Sequence, residues 1–140
     1  MVKDIKLGYF VGEQRHNLTE KNRLALPKRF RLEIDGYEII LAAGSESCIE
    51  GFEKNKWLEM VKPHLNIPFT EKAGSDIRRR VFSSAMPVEL DRQGRMVLPE
   101  PLLSWAGLKG KVGEEVVFVG AGDHFEIWES QRWDKHQNTK

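Results

Sequence analysis

The stretch ELDRQGRMVLPEPL, residues 89–102, decides the fold, because NLTEKNRLALPKRF, residues 17–30, says nearly the same thing in the first half of the chain. Leu18, Arg23, Leu26 and Pro27 coincide with Leu90, Arg95, Leu98 and Pro99, and apolar Leu24 and Ala25 match Met96 and Val97. The likeness resumes after a short insertion in the second copy: IEGFEKNKW, 49–57, stands beside FEIWESQRW, 125–133, with Glu50, Glu53 and Trp57 answering Glu126, Glu129 and Trp133. Order and character agree across both copies, which marks an internal duplication.

Each copy reads as a succession of short elements. Apolar-containing runs at 16–18 and 24–26 flank T-E-K-N, and runs at 88–90 and 96–98 flank D-R-Q-G, so each pair predicts a hairpin. Its turn needs residues that tolerate positive φ, the role of Asn22 and Gly94. Pro27 and Pro99 end the second strand and suit the start of a short helix, with Phe30, Leu32 and Ile34, or Leu102, Leu103 and Trp105, as its apolar side. A second hairpin follows in each copy, over 38–42 and 48–52 or 116–119 and 124–128, and EKNKWLEMVK or ESQRWDKH closes the copy as a helix. Between copies lies a linker over 63–74, after which Ser75 is expected to cap a helix carrying Ile77, Val81 and Ala85 on one face. Strands this short bury little surface, so the two copies should share one intertwined core.

Composition bounds the function. A chain of 140 residues, 40% apolar and 31% charged, fits one globular domain. No run of about 18 apolar residues and no secretory signal pattern occurs, and Cys48 is a single cysteine, so a cytoplasmic location without membrane attachment is expected. The net charge of +1 hides an asymmetry. Residues 1–31 hold eight bases (Lys3, Lys6, Arg15, Lys21, Arg23, Lys28, Arg29 and Arg31) against three acids, an excess of five that the rest of the chain offsets. A second basic knot is Arg78, Arg79 and Arg80, which on a helix point in three directions. One anion-facing surface would give such a distribution; a solvated charged face is the plainer explanation of any single cluster.

LDRQGRMVLPEPLLSWAGL followed by VVFVGAGDHFEIWESQRW resembles the second half of the MraZ family of bacterial transcriptional regulators, and YFVGEQRHNLTEKNRLALPKRFR resembles its first half. The resemblance covers nearly the whole chain and rests on the D-x-x-x-R hairpin motif and the F-E-I-W-x-x-x-x-W ending. It implies an α+β, β-rich fold: two tandem repeats of the AbrB/MazE type forming an intertwined swapped-hairpin β-barrel with peripheral helices. The first repeat would span 8–60 and the second 79–135, joined by a linker and the start of a connecting helix over 61–78. It further implies a homo-oligomeric ring, nucleoid association, and repression of the division and cell-wall gene cluster through repeated promoter sites on double-stranded DNA. An antitoxin-like module that uses the same fold to hold a partner protein is the alternative.

A two-stranded ribbon fits the major groove, where arginine bonds guanine bidentately and lysines neutralise phosphates. Arg23 and Arg95 are the leading DNA-contact candidates, with Lys21, Arg92, Arg15 and Lys28 beside them. Asp91 is expected to accept backbone N–H bonds and hold Arg95 by charge, with Gly94 serving the turn; a mere hairpin salt bridge is the plainer reading of the same pair. The first copy departs from the motif, with Thr19 in place of the aspartate and Asn22 in place of the glycine. Either Glu20 takes over as partner of Arg23, or Lys21, Lys28, Arg29 and Arg31 leave this half to bind phosphates with less selectivity.

Other features read as structure. Gly120–Gly122 suits a hairpin turn better than a dinucleotide loop. Gly107, Gly110 and Gly113 suggest a flexible connection. His16, His64, His124 and His136 show no metal-ligand spacing, and Cys48 reads as a buried small hydrophobe. No nucleophile with its base, metal set or phosphate loop is legible, so no enzyme, cofactor or small-molecule substrate is expected.

Overall fold

The structure, a computed structural model, describes residues 4–139, so Lys3 of the basic N-terminal excess lies outside it. It is an α+β, β-rich fold. In chain order the elements are β1 (Glu13–Asn17), β2 (Arg23–Ala25), α1 (Lys28–Arg31), β3 (Glu38–Ala43), β4 (Ile49–Glu53), α2 (Lys54–Val61), α3 (Lys72–Phe82), β5 (Met86–Glu89), β6 (Arg95–Val97), α4 (Glu100–Trp105), β7 (Glu115–Gly120), β8 (Phe125–Glu129) and α5 (Ser130–Asn138).

The apolar runs behave as anticipated. EIILAA and EVVFVG are buried on both faces, which is why they form β3 and β7, the first strands of two hairpins with β4 and β8. Each closing helix follows from one repeated device. Glu53 and Glu129 end their strands as N-caps, Glu53 accepting the N–H of Lys56 and Glu129 those of Gln131 and Arg132, and the tryptophan of the first turns folds back on the sheet.

The pairing partners differ from the expectation. Residues 16–18 and 24–26 do not zip into a hairpin within one copy; a single bridge, Thr19 with Arg23, closes the turn and the chain then splays. β1 runs antiparallel to β7 of the other copy, and β5 runs antiparallel to β3. The six-stranded sheet therefore has the order β1-β7-β8-β4-β3-β5, which reads the same from either edge in terms of the copies. Its middle is the β4–β8 seam, where Ile49, Glu50 and Gly51 face Ile127, Glu126 and Phe125. β2 and β6, one from each copy, form a separate two-stranded ribbon.

No closed barrel forms among the described residues, because β1 and β5 remain outer edges and the ribbon stands apart from the sheet. Both edges are blunted: β5 carries Pro87, which has no N–H to offer, and β1 is largely exposed and carries Glu13 and Arg15. The main core lies between the sheet and a cover made of the ribbon, α1 and α4. At its centre Phe10, Phe30, Phe118 and Phe125 meet mostly edge-to-face with centroids 5.2–6.2 Å apart. The opposite face of the sheet is covered by Trp57 of α2 and by Trp133 of α5.

Three local expectations are corrected. α3 starts at Lys72, so Ser75 is not its cap; the Ser75 hydroxyl donates to the Phe69 carbonyl at 2.6 Å, and Ala85 lies beyond the helix end. Trp105 is exposed rather than core, with its indole N–H donating to the Gly44 carbonyl at 3.0 Å. The glycine-rich connection is tied down, since Gly113 donates its N–H to the Leu18 carbonyl at 2.7 Å and Leu108 is buried.

Candidate nucleic-acid interface

The β2–β6 ribbon sets Arg23 opposite Val97, Leu24 opposite Met96 and Ala25 opposite Arg95. Side chains alternate along a strand, and Leu24 and Met96 are the pair that turns inward into the core. Arg23, Ala25, Arg95 and Val97 must therefore share the outer face. The arginines are diagonal neighbours across it, a spacing of about 7–8 Å between their backbones. A pair of guanidinium groups flanked by small apolar side chains on a twisted two-stranded ribbon is a surface that fits a groove.

The turn before Arg95 is tightly built. One carboxylate oxygen of Asp91 accepts the N–H of Gln93 at 2.8 Å and of Arg95 at 2.9 Å, and the other accepts Arg95 Nε at 2.9 Å. These bonds, the Arg95 backbone N–H first, hold the Asp91 carboxyl below the usual aspartate range. Asp91 takes Nε, and among the described residues the two terminal nitrogens of Arg95 have no hydrogen-bond partner on a side chain that is 42% exposed. Gly94, at φ +78°, supplies the left-handed residue of this turn.

The turn before Arg23 closes with the same backbone bond, from the residue four before the arginine to the arginine's carbonyl, but is built from weaker materials. Thr19 directs both its N–H, at 2.9 Å, and its hydroxyl, at 3.0 Å, to the Arg23 carbonyl. Lys21 and Asn22 both sit in the left-handed region, at φ 61° and 58°, so a lysine shares the strain that sequence assigns to asparagine alone. Among the described residues Glu20 makes no ion pair with Arg23.

The flanking bases do not stay with the first turn. Arg31 reaches across to the second, Arg31 Nη1 donating to the Gln93 carbonyl at 3.2 Å. Arg29 pairs with Glu33, a buried carboxylate that also accepts the N–H groups of Leu7 and Gly8 at 2.8 and 2.7 Å. Burial would raise the Glu33 carboxyl, but these donors outweigh it and hold the group below its ordinary range. Lys28 faces Asp4 at 3.6 Å and stays exposed. Arg15 lines one shallow depression with Thr19, Ala25 and Arg95, yet its guanidinium is held by Asp134 at 2.7 Å and Glu115 at 2.9 Å. Lys21 and Arg92 are exposed on the two turns.

One cluster escaped the sequence because its members lie in different copies. The β4–β8 register sets Glu50 against Glu126, and His124 joins them, with ligand atoms all within 4.8 Å of one another. Imidazole Nδ1 lies 2.8 Å from Asp123 and Nε2 3.4 Å from Glu126, while Trp128 donates its indole N–H to Glu126 at 2.8 Å and Phe52 stacks on the ring. The Glu126 bond, followed by the one to Asp123, outweighs burial and pushes His124 up to about 9. The arrangement acts as an imidazolium that neutralises carboxylates the register forces together. The folded value lies above the ordinary 6.5, so this stabilisation is complete below about pH 6.5 and is lost as pH rises through about 9. Unfolding titrations should show a fall of about 1–2 kcal/mol across that window, and His124→Gln should flatten it; equal slopes in both proteins would remove the role.

Cys48 is fully buried against Val117, Trp128 and Trp133, and burial first among causes pushes its thiol up to about 12, so it is an inert filler.

Comparison with known proteins gives two matches to one family, described as "MraZ protein, putative antitoxin-like", over residues 9–80 and 81–140, one match on each copy. The transcriptional regulator MraZ of Syntrophomonas wolfei subsp. wolfei is 36% identical over 132 residues, covering 94% of this chain and 89% of the relative. Those of Roseiflexus sp. (strain RS-1) and Moorella thermoacetica are 34% and 36% identical over 124 and 127 residues, covering 89% and 91% of this chain and 83% and 85% of the relatives.

Proposed function

The chain belongs to the MraZ family, and from that premise we propose that it is a transcriptional regulator that binds double-stranded promoter DNA through the β2–β6 ribbon. The observation that carries the reading is the placement of Arg23 and Arg95, one from each copy, on the single solvent face of that ribbon. Arg95 reads a base edge with its terminal nitrogens; Arg23, which has no acidic partner among the described residues, takes a base edge or a phosphate. Lys21 and Arg92 at the turns and Lys28 on α1 neutralise phosphates. Arg15 serves the strand edge, where its carboxylate partners already use its charge.

The finer features of the reading come from the family likeness: two repeats over 8–60 and 79–135 around one core, swapped-hairpin packing, a ring of several copies, and repression of the division and cell-wall gene cluster from the nucleoid. A short ribbon with two arginines binds weakly alone. Several copies presenting ribbons at intervals near one DNA turn, about 10 base pairs, would bind repeated sites with added affinity through effective concentration.

Gel-shift titrations on promoter DNA bearing one, two and three repeats test this. Each added repeat is expected to tighten binding by at least about 10-fold, and affinity should fall steeply with salt. Affinity that ignores both repeat number and salt would overturn the reading.

A further inference from the structure

We propose that Arg31, which belongs to the first copy, is a positioning residue for the DNA-contacting turn of the second; the inference rests on the ribbon reading above. α1 follows β2 immediately, and β2 lies along β6, so the start of the first copy's helix arrives beside the 91–95 turn. Two adjacent peptide carbonyls of that turn are then pinned from the first copy: Leu26 donates its N–H to the Gly94 carbonyl at 2.9 Å, and Arg31 Nη1 donates to the Gln93 carbonyl at 3.2 Å. The arginine also closes the space over the turn. A Cβ added to Gly94 would fall 2.4 Å from Arg31 Nε and 2.6 Å from its Cδ and Cζ, so the guanidinium and the end of its stem lie against the bare glycine Cα.

The first turn lacks this brace. Leu98 donates its N–H to the Asn22 carbonyl at 2.9 Å, the counterpart of the Leu26 bond, but the position that answers Arg31 in the register of Arg23 with Arg95 is Leu103, which is buried in the core. The second turn is thus fixed from inside by Asp91 and from outside by Arg31, and it presents Arg95 in one orientation. Less ordering is left to be done on binding, which is how a supporting residue raises both affinity and selectivity.

A direct Arg31–phosphate contact is the rival role, and Arg31→Lys separates the two, because lysine keeps the charge but not the planar group that bonds the carbonyl and lies on Gly94. Full-length Arg31→Ala and Arg31→Lys should each weaken binding to a two-repeat promoter fragment by about 5–10-fold, with the salt slope unchanged. In the free proteins, amide exchange of Gly94 and Arg95 measured by NMR should quicken by a similar factor, about 5–10-fold, in both variants, because local opening of a less constrained turn is easier. Restored binding in the lysine variant, a salt slope reduced by about one, or unchanged exchange at Gly94 would each overturn the role. Failure of the wild-type protein to bind DNA would sink the ribbon reading instead, while the exchange data would still decide whether Arg31 holds the turn.

Discussion

Arg95→Ala is expected to weaken binding to promoter DNA by about 10–100-fold while leaving the melting temperature nearly unchanged. The size follows from the value of a bidentate arginine–base contact, about 1–3 kcal/mol. The separation from stability follows from location: the Arg95 side chain is 42% exposed and its pair with Asp91 is equally open, the class of ion pair that adds little to folding. Asp91 keeps its two backbone bonds in the variant, so the turn itself should persist. Arg23→Ala should cost less in sequence discrimination, since among the described residues no carboxylate orients that side chain. Competition with mutated operators makes the distinction measurable. If Arg95→Ala discriminates between operator and scrambled DNA as well as the wild type does, Arg95 is not a base-reading residue.

Gly51→Ala is expected to destabilise the fold by about 3 kcal/mol, a fall of about 10 °C in melting temperature for a chain of this size. At the β4–β8 seam Gly51 faces Phe125, whose ring lies across the glycine; a Cβ there would fall 2.1 Å from it. The ring cannot retreat, because Phe10, Phe30 and Phe118 pack around it. A flexible side chain would swing away at small cost, whereas a ring inside a close-packed cluster displaces its neighbours. The double variant Gly51→Ala with Phe125→Leu should recover part of the loss, since leucine vacates the space the methyl group needs. Additive losses measured by urea denaturation would show that the two positions do not share that space.

β3 and β7 were legible because each is a continuous apolar run bounded by turn residues, β4 and β8 because mixed apolar and acidic stretches return directly after those turns, and the two closing helices because EKNKWLEMVK and ESQRWDKH each carry a tryptophan that packs back on the sheet. Pairing was not legible. Nothing local distinguishes a strand that folds back on its neighbour from one that leaves for the other copy, and the hairpin expected over 16–26 was an assumption of locality that β1 and β7 break. The same assumption misplaced Arg31, assigned to the first turn by its nearness in sequence and found on the second. Glu50 and His124 belong to different copies and stand far apart in the chain, so no spacing rule could join them. Ser75 failed for a different reason: serine is a common cap but an equally good donor to a loop carbonyl, and residue type alone does not choose.

A sheet whose order reads alike from both edges is what two identical chains would build by lending each other a strand. Such a pair would have to show the same residues at both turns, because one gene would specify both. Carrying the two halves on one chain lifts that requirement. Thr19 and Asn22 can differ from Asp91 and Gly94, and a helix can brace one turn and leave its twin unbraced, without any loss to the shared core. On the proposed ribbon reading, such a chain can address a half-site whose two ends are unlike, and the sense in which it lies along the duplex becomes something the sequence of that half-site can set.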